Sequence, residues 1–290
     1  MSAPVWLITG VSNGLGRALG LRVLKAGHNV IGTVRSRTKA AEAVNEIESL
    51  KGKIIEIDLR EPQSSIHQKL KAAESIFGRI DVLVNNAGFS VLGPIEGFTE
   101  KEAVNQMQTN FFGPLYAMQA VLPGMRARQS GTIVNVSSVG GMDALPTSGL
   151  YASSKFALEG LSESLAREVG EFGVSILIVE PGAFRTKFLN AMEPSDGRMS
   201  ETYHGDTEVG RVMKKFEEMT GKQPGDPDKA VDRIFEVVAG EGPAGHLKGK
   251  LLRLPLGDDA LQRIKTKVER VEKDLEASWD LASNLGFDSN

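Results

Sequence analysis

The chain has 290 residues, 34 basic and 37 acidic side chains for a net charge of −3, and no cysteine. Without cysteine there is no disulfide framework, thiolate metal site or cysteine nucleophile. Mixed charge and only 6% aromatic residues argue against nucleic acid or an anionic membrane as partner. No run approaches the roughly 20 apolar residues of a membrane span, and the start Met-Ser-Ala-Pro lacks a basic signal region, so the expectation is a soluble, cytoplasmic protein.

Short Val- and Ile-rich runs alternate with amphipathic stretches along the chain. Strands are predicted at 5–9, 29–35, 53–58, 82–85, 131–137, 175–180 and 251–254, and helices at 15–25, 39–50, 64–77, 99–128, 152–172 and 227–239. Several strands lack period-two alternation, as expected when helices cover both faces of a parallel sheet. The connections are short, so residues 1–256 read as one α/β domain with a seven-stranded parallel sheet. Residues 183–225 break the pattern and read as an inserted substrate lid. Residues 257–290 read as a C-terminal helical extension, with Leu261, Ile264, Val268, Val271, Leu275, Trp279 and Ala282 forming one apolar stripe.

Thr9-Gly10-Val11-Ser12-Asn13-Gly14-Leu15-Gly16 follows the first strand and opens the first helix. Glycines there allow a sharp turn, and the helix N-terminus offers unpaired N–H groups and a positive dipole end to a pyrophosphate. The second strand ends Thr33-Val34-Arg35-Ser36-Arg37, where a site for NAD usually carries a carboxylate; none occurs before Glu42. Arg35 is therefore the candidate for the 2′-phosphate of NADP(H), with Ser12 and Ser36 or Arg37 assisting, and NAD(H) is the less favoured cofactor.

Tyr151 and Lys155 stand one helical turn apart on one face. A nearby ammonium favours a phenolate, so such a tyrosine can exchange a proton with a carbonyl or alcohol oxygen as general acid/base. The four histidines, His28, His67, His204 and His246, show no ligand spacing, and no metal site is expected.

Taken in order, the glycine turn, Asn85-Asn86-Ala87-Gly88, Asn110, Ser138 thirteen residues before Tyr151, Lys155, and Pro181-Gly182 followed by Thr186 resemble the short-chain dehydrogenase/reductase family. The segments 225–230 and 252–260, with Thr33-Val34-Arg35, resemble its hydroxysteroid-dehydrogenase-like branch, which tends to use NADP(H). The resemblance covers roughly residues 5–256 and implies a doubly wound, Rossmann-type fold. It further implies that Ser138 hydrogen-bonds the substrate oxygen, with Ser137 as the fallback; neighbouring strand residues point to opposite faces, so only one should reach the site. Lys155 would lower the Tyr151 pKa and bind the nicotinamide ribose, and Asn110 would hold a relay water. Asp58 would meet the adenine, Asn86, Ala87 and Gly88 would line the cofactor, and Pro181, Gly182 and Thr186 would reach its nicotinamide end.

Ligands of doubly wound sheets sit beyond the carboxyl ends of the strands. The segments expected there carry Phe89, Val91, Leu92, Met142, Leu145, Phe184, Phe188, Leu189, Met192, Met199 and Tyr203; of these, Met142, Leu145, Phe184, Phe188 and Met192 are the candidate substrate contacts. The function expected is an NADPH-dependent reductase of a medium-sized hydrophobic ketone, reversible on the secondary alcohol. The alternatives are a dinucleotide-sensing regulator on the same fold, or an epimerase or dehydratase. The resemblance also implies a homodimer or homotetramer built on the two longest helices, with no nucleic acid and no membrane partner.

Overall fold

The structure is a computed structural model that describes residues 2–196, 200–283 and 285–287, so that Met199 lies outside the described residues. In chain order the elements are β1 (Val5–Ile8), α1 (Gly14–Lys25), β2 (Asn29–Val34), α2 (Ala41–Ser49), β3 (Lys53–Glu56), α3 (Gln63–Phe77), β4 (Val82–Asn85) and β5 (Val91–Leu92). There follow α4 (Glu100–Met107), α5 (Gly113–Ala127), β6 (Gly131–Val136), α6 (Gly149–Val169), β7 (Val174–Pro181) and β8 (Glu193–Pro194). The chain ends with α7 (Glu208–Met219), α8 (Pro227–Ala239), β9 (Arg253–Leu256) and α9 (Asp258–Ala282).

Seven strands form one parallel sheet in the order β3-β2-β1-β4-β6-β7-β9, the doubly wound arrangement expected. The register explains why the strands read as unbroken apolar runs. Ile31, Leu7, Leu83, Ile133 and Ile176 lie side by side across one face and join the core beneath α3, α5 and α6. Ile8, Val84, Val134 and Leu177 line up on the other face, in the core beneath α1, α2 and α8. The inner strands thus bury both sets of side chains. Trp6 stacks on Phe235 at 5.8 Å between ring centres and donates its indole N–H to His28 Nδ1, which gives that histidine a structural role.

Neighbours of β1 were laid down in opposite directions, β2 on one side and β4 on the other, so a crevice opens at the carboxyl ends of β1 and β4. The glycine turn leaves β1 there, and the Asn86–Gly88 segment leaves β4.

Three boundaries differ from the sequence reading. The helix predicted over 99–128 is broken: α4 and α5 are joined by a π-helical turn at Gln108–Phe112 that contains Asn110. The last strand is Arg253–Leu256, not 251–254, because pairing with β7 fixes it; its Pro255 is tolerated in a sheet-edge strand. The inserted segment is not a plain loop: β8 pairs with β5, Phe184 bridges to Gly225, and α7 lies between.

Candidate active site

The glycine turn is shaped by what stands against it. Gly10 has φ +72°, and a Cβ there would fall 2.9 Å from the Ala87 backbone, so only glycine permits both the turn and the approach. Asn86 donates its side-chain amide to the carbonyls of Thr9 and Gly10, clamping the turn to the end of β4, and a Cβ at Gly16 would collide with that amide. Asn13 is the N-cap residue of α1 but makes no capping bond with its side chain, and no acid stands in the first helical turn. The N–H donors of 14–16 are thus left for an anion, and the positive dipole end is uncompensated. Ser12 accepts a bond from Asn13, Leu15 is half-buried, and Thr186 lies over Gly14.

At the end of β2 the Arg35 side chain is exposed and makes no hydrogen bond or ion pair among the described residues. Arg37 differs: its guanidinium is held by Glu48 and by the Ile54 carbonyl, so it braces β3 and does not assist at the crevice. Ser36 accepts from the Lys39 N–H. Asp58 is not a free adenine acceptor, because Arg60 grips both carboxylate oxygens. That hydrogen bonding, with a smaller electrostatic contribution from Arg35, holds Asp58 below its ordinary pKa. Arg35 and Asp58 therefore share one neighbourhood.

Ser138 lies two residues past the end of β6, where it caps a short helical turn, and its Oγ accepts from the Gly140 N–H. A Cβ on Gly140 would sit 3.4 Å from Ser138 Oγ and 3.5 Å from the Tyr151 ring, so the small residue lets the two converge. Burial pushes the Tyr151 phenol up to about 12, against a smaller lowering by its hydrogen bond with Ser138. Burial also lowers the Lys155 ammonium to about 8, partly opposed by Glu159. The Lys155 Nζ lies 5.7 Å from the Tyr151 ring centre and donates to the Val136 carbonyl at 2.7 Å. The lowering of Tyr151 expected from Lys155 is thus not seen in this arrangement, where burial dominates.

Asn110 is fully buried, and its amide donates to the Phe89 carbonyl and Ser154 Oγ while Oδ1 accepts from the Phe89 N–H. These bonds make the side chain first an anchor, leaving one acceptor position. A Cβ at Gly88 would lie 3.2 Å from Asn110 Oδ1 and 3.7 Å from Lys155 Nζ, so Gly88 keeps open the space between them. Pro181 closes β7, and Gly182 donates to Leu256 and abuts Asp259, which accepts from Ala183.

The substrate candidates divide. Phe188 meets Tyr151, with ring centres 5.7 Å apart. Met142, Leu145 and Met192 are half-buried in the flanking loops. Phe184, also half-buried, packs against the core beside Gly225 and Gly257. An open groove of roughly 580 Å³, lined by Ile95, Phe98, Ala103, Leu150 and Phe156, lies against α4 and α6 and does not include Tyr151.

Beneath this floor lies a charged cluster that motif reading missed. Ser137 is buried and donates to Glu159 at 2.6 Å, facing away from Ser138. Arg253 joins Glu159, Glu163 and Glu180. Burial, reinforced by Glu159, pushes Glu180 up to about 7 despite Arg253. Glu159 recurs one turn after Lys155, a spacing that could have flagged it, but Arg253 is remote in sequence. Among the described residues no cluster of potential metal ligands occurs, and no helix is long and apolar enough to cross a membrane.

Residues 4–196 match the short chain dehydrogenase family. The chain belongs to the short-chain dehydrogenase family. A curated relative, a 3-ketodihydrosphingosine reductase from Bacteroides thetaiotaomicron, is 36% identical over 84% of this chain and 86% of its own length. The crystal structure of a short-chain dehydrogenase from Streptomyces avermitilis is 34% identical, covers 98% of this chain and 99% of its own, and has a TM-score of 0.84. A metagenomic short-chain oxidoreductase solved in complex with NADP is 31% identical over 64% of this chain and 85% of its own, at a TM-score of 0.59. This short-chain dehydrogenase is accordingly an oxidoreductase, and one solved relative holds NADP.

Proposed function

We propose that the protein is an NADP(H)-dependent carbonyl reductase, reversible as an alcohol dehydrogenase, acting on a medium-sized hydrophobic ketone or secondary alcohol. The observation that carries this reading is the convergence of the Ser138 hydroxyl and the Tyr151 ring about Gly140, with Lys155 on the same helix face. The uncapped N-terminus of α1 and the clamped glycine turn suit a pyrophosphate, and the unpaired Arg35 suits a 2′-phosphate. The chemistry that a bound reduced nicotinamide supplies is the hydride to the carbonyl carbon.

The chain's own residues handle the oxygen. Ser138 donates to the carbonyl oxygen as negative charge grows there. Tyr151 gives that oxygen its proton and is left as a phenolate. At about 12 the phenol is fully protonated at neutral pH, which suits reduction; the oxidative direction needs added positive charge nearby to lower it. Lys155, lowered to about 8, can return a proton to the phenolate and recover one across the gap kept by Gly88. Phe188 covers the Tyr151 ring and excludes water. Retention of Ser138, Tyr151 and Lys155 together favours an enzyme over a sensor.

The test is NADPH consumption with a panel of hydrophobic ketones. Tyr151→Phe should lower kcat by about a thousandfold or more while leaving NADPH binding, followed by nicotinamide fluorescence, within a fewfold. Turnover that survives the substitution refutes the mechanism; binding without turnover in the parent protein across the panel favours the sensor. Arg35→Asp should shift the NADPH-over-NADH preference in kcat/KM by about 10- to 100-fold toward NADH, the scale of one lost charge-assisted contact. An unmoved ratio refutes the cofactor assignment.

A further inference from the structure

The C-terminal helix is the least explained part of the molecule. α9 has 25 residues, hence about 37 Å of length, yet only Ala260 is buried. Its links to the body lie near its start: Asp259 accepts from the Ala183 N–H, Arg263 binds Asp143, and Arg270 reaches the same carboxylate at 3.7 Å. After Arg270 about three turns run on, and a single helix of such length is marginal in water without a packed apolar face.

That face exists and is uncovered. Leu261, Val268, Val271, Leu275 and Trp279 are 42–62% exposed, large values for apolar residues on one stripe. Leu261, Ile264, Val268, Val271 and Leu275 recur at alternating steps of three and four, the a and d positions of consecutive heptads. The stripe does not fold back on its own subunit.

The flanking charges select an occupant. In this register the e positions are Lys265 and Glu272, and the g positions are Lys267 and Asp274. At these flanking positions basic residues precede the midpoint between Val268 and Val271, and acidic ones follow it. When two such helices run antiparallel about that centre, e meets e and g meets g. Lys265 then faces Glu272 of the partner subunit, Lys267 faces Asp274 of the partner subunit, and the two-fold axis repeats each pair. A parallel pair retains only the contact of Lys267 with Glu272. An anionic membrane is a poor alternative, because α9 carries seven acidic against five basic side chains.

We propose that α9 pairs antiparallel with α9 of a second copy of this chain, through the stripe from Ile264 to Leu275. Since Arg263 and Arg270 grip Asp143, in the loop that follows Ser138, this pairing braces the catalytic loop from outside.

The absence of cysteine makes the test clean. Full-length Ile264→Cys and Leu275→Cys variants, carrying different tags, are coexpressed and mildly oxidised. The antiparallel register brings 264 of one copy against 275 of the other, so the mixed disulfide dimer should exceed either self-linked dimer by about tenfold. Self-linking of each variant without the mixed product overturns the orientation, and no cross-linking overturns the pairing, whatever other interface holds an oligomer together. Adding Lys265→Glu and Lys267→Glu to both variants should cut the mixed product about fivefold or more. Further addition of Glu272→Lys and Asp274→Lys should restore it, which a merely misfolded helix would not allow. Failure of that restoration, or pelleting of the parent protein with phosphatidylserine vesicles in place of cross-linking, overturns the proposal.

Discussion

The floor of the crevice and the strap above it are built on opposite terms. The floor is built on buried polar side chains, Ser137, Ser154, Lys155 and Glu159, bound to fixed partners on α6, β6 and β9. The strap from Ala183 to Gly225 buries little: α7 has no buried residue, and β8 is a two-residue strand held to β5. In the proposed mechanism, reaction geometry belongs to the first region and access to the second. A site held this way can keep its reacting groups aligned while the covering segment yields to substrates of different shape. Damage to the floor should therefore appear in kcat or in global stability, and damage to the strap in KM.

The largest effect in that contrast is expected at Ser138. Ser138→Ala should lower kcat by roughly 10²–10³-fold, the usual loss for one donor to a developing oxyanion. Its neighbour provides the control. Ser137→Ala should leave kcat within about threefold but cost about 1–3 kcal/mol in denaturant unfolding, because a buried Glu159 oxygen loses its donor. Equal kinetic losses in the two variants would mean that the faces of this strand end are misassigned.

The buried carboxylates give the next effect, and it is one of stability. Glu180 is raised from an ordinary 4.5 to about 7 in the folded chain. Between those values the native state holds a proton that the unfolded state has released, so stability falls as pH rises through this window. Glu180→Gln removes the penalty. It should stabilise the protein by about 1–3 kcal/mol at pH 8, with the gain vanishing below about pH 4.5. A gain that is the same at both pH values, or a loss at pH 8, would show that the ion pair with Arg253 outweighs desolvation.

What the amino-acid sequence makes legible is what is set locally. The strands, the glycine turn and the Tyr151–Lys155 pair are each set by neighbouring residues, and their order in the chain puts them at one crevice. The π-turn around Asn110 was invisible because one extra residue per turn scarcely disturbs an apolar periodicity running from 99 to 128. The shift of β9 by two residues was set by pairing with β7, not by its own Leu-rich sequence. That Phe184 packs against the core depends on its bridge to Gly225, 41 residues away. The fate of Arg37 depended on Glu48 and the β3 backbone, and that of the Glu159 cluster on Arg253, all contacts across the fold.

The smallest effect is expected where strap and body meet. Glu102 caps its own helix through Thr99 and also accepts from Asp196 N–H and Ser195 Oγ, so one buried carboxylate ties α4 to the segment after β8. Burial works against its charge, but these bonds outweigh it and hold its pKa below the ordinary carboxylate value. The tie is therefore complete above that ordinary value and is lost as pH falls through the lower, folded one. Glu102→Gln keeps a side chain that can still cap the helix but weakens the tie by removing its charge. It should raise KM for the ketone about three- to fivefold, roughly 1 kcal/mol, with kcat unchanged and the unfolding midpoint little moved. The difference from the parent should narrow at acidic pH, where Glu102 itself becomes neutral. A fall in kcat with KM unchanged would instead place Glu102 with the rigid floor, and the division of labour between the two regions would have to be redrawn at α4.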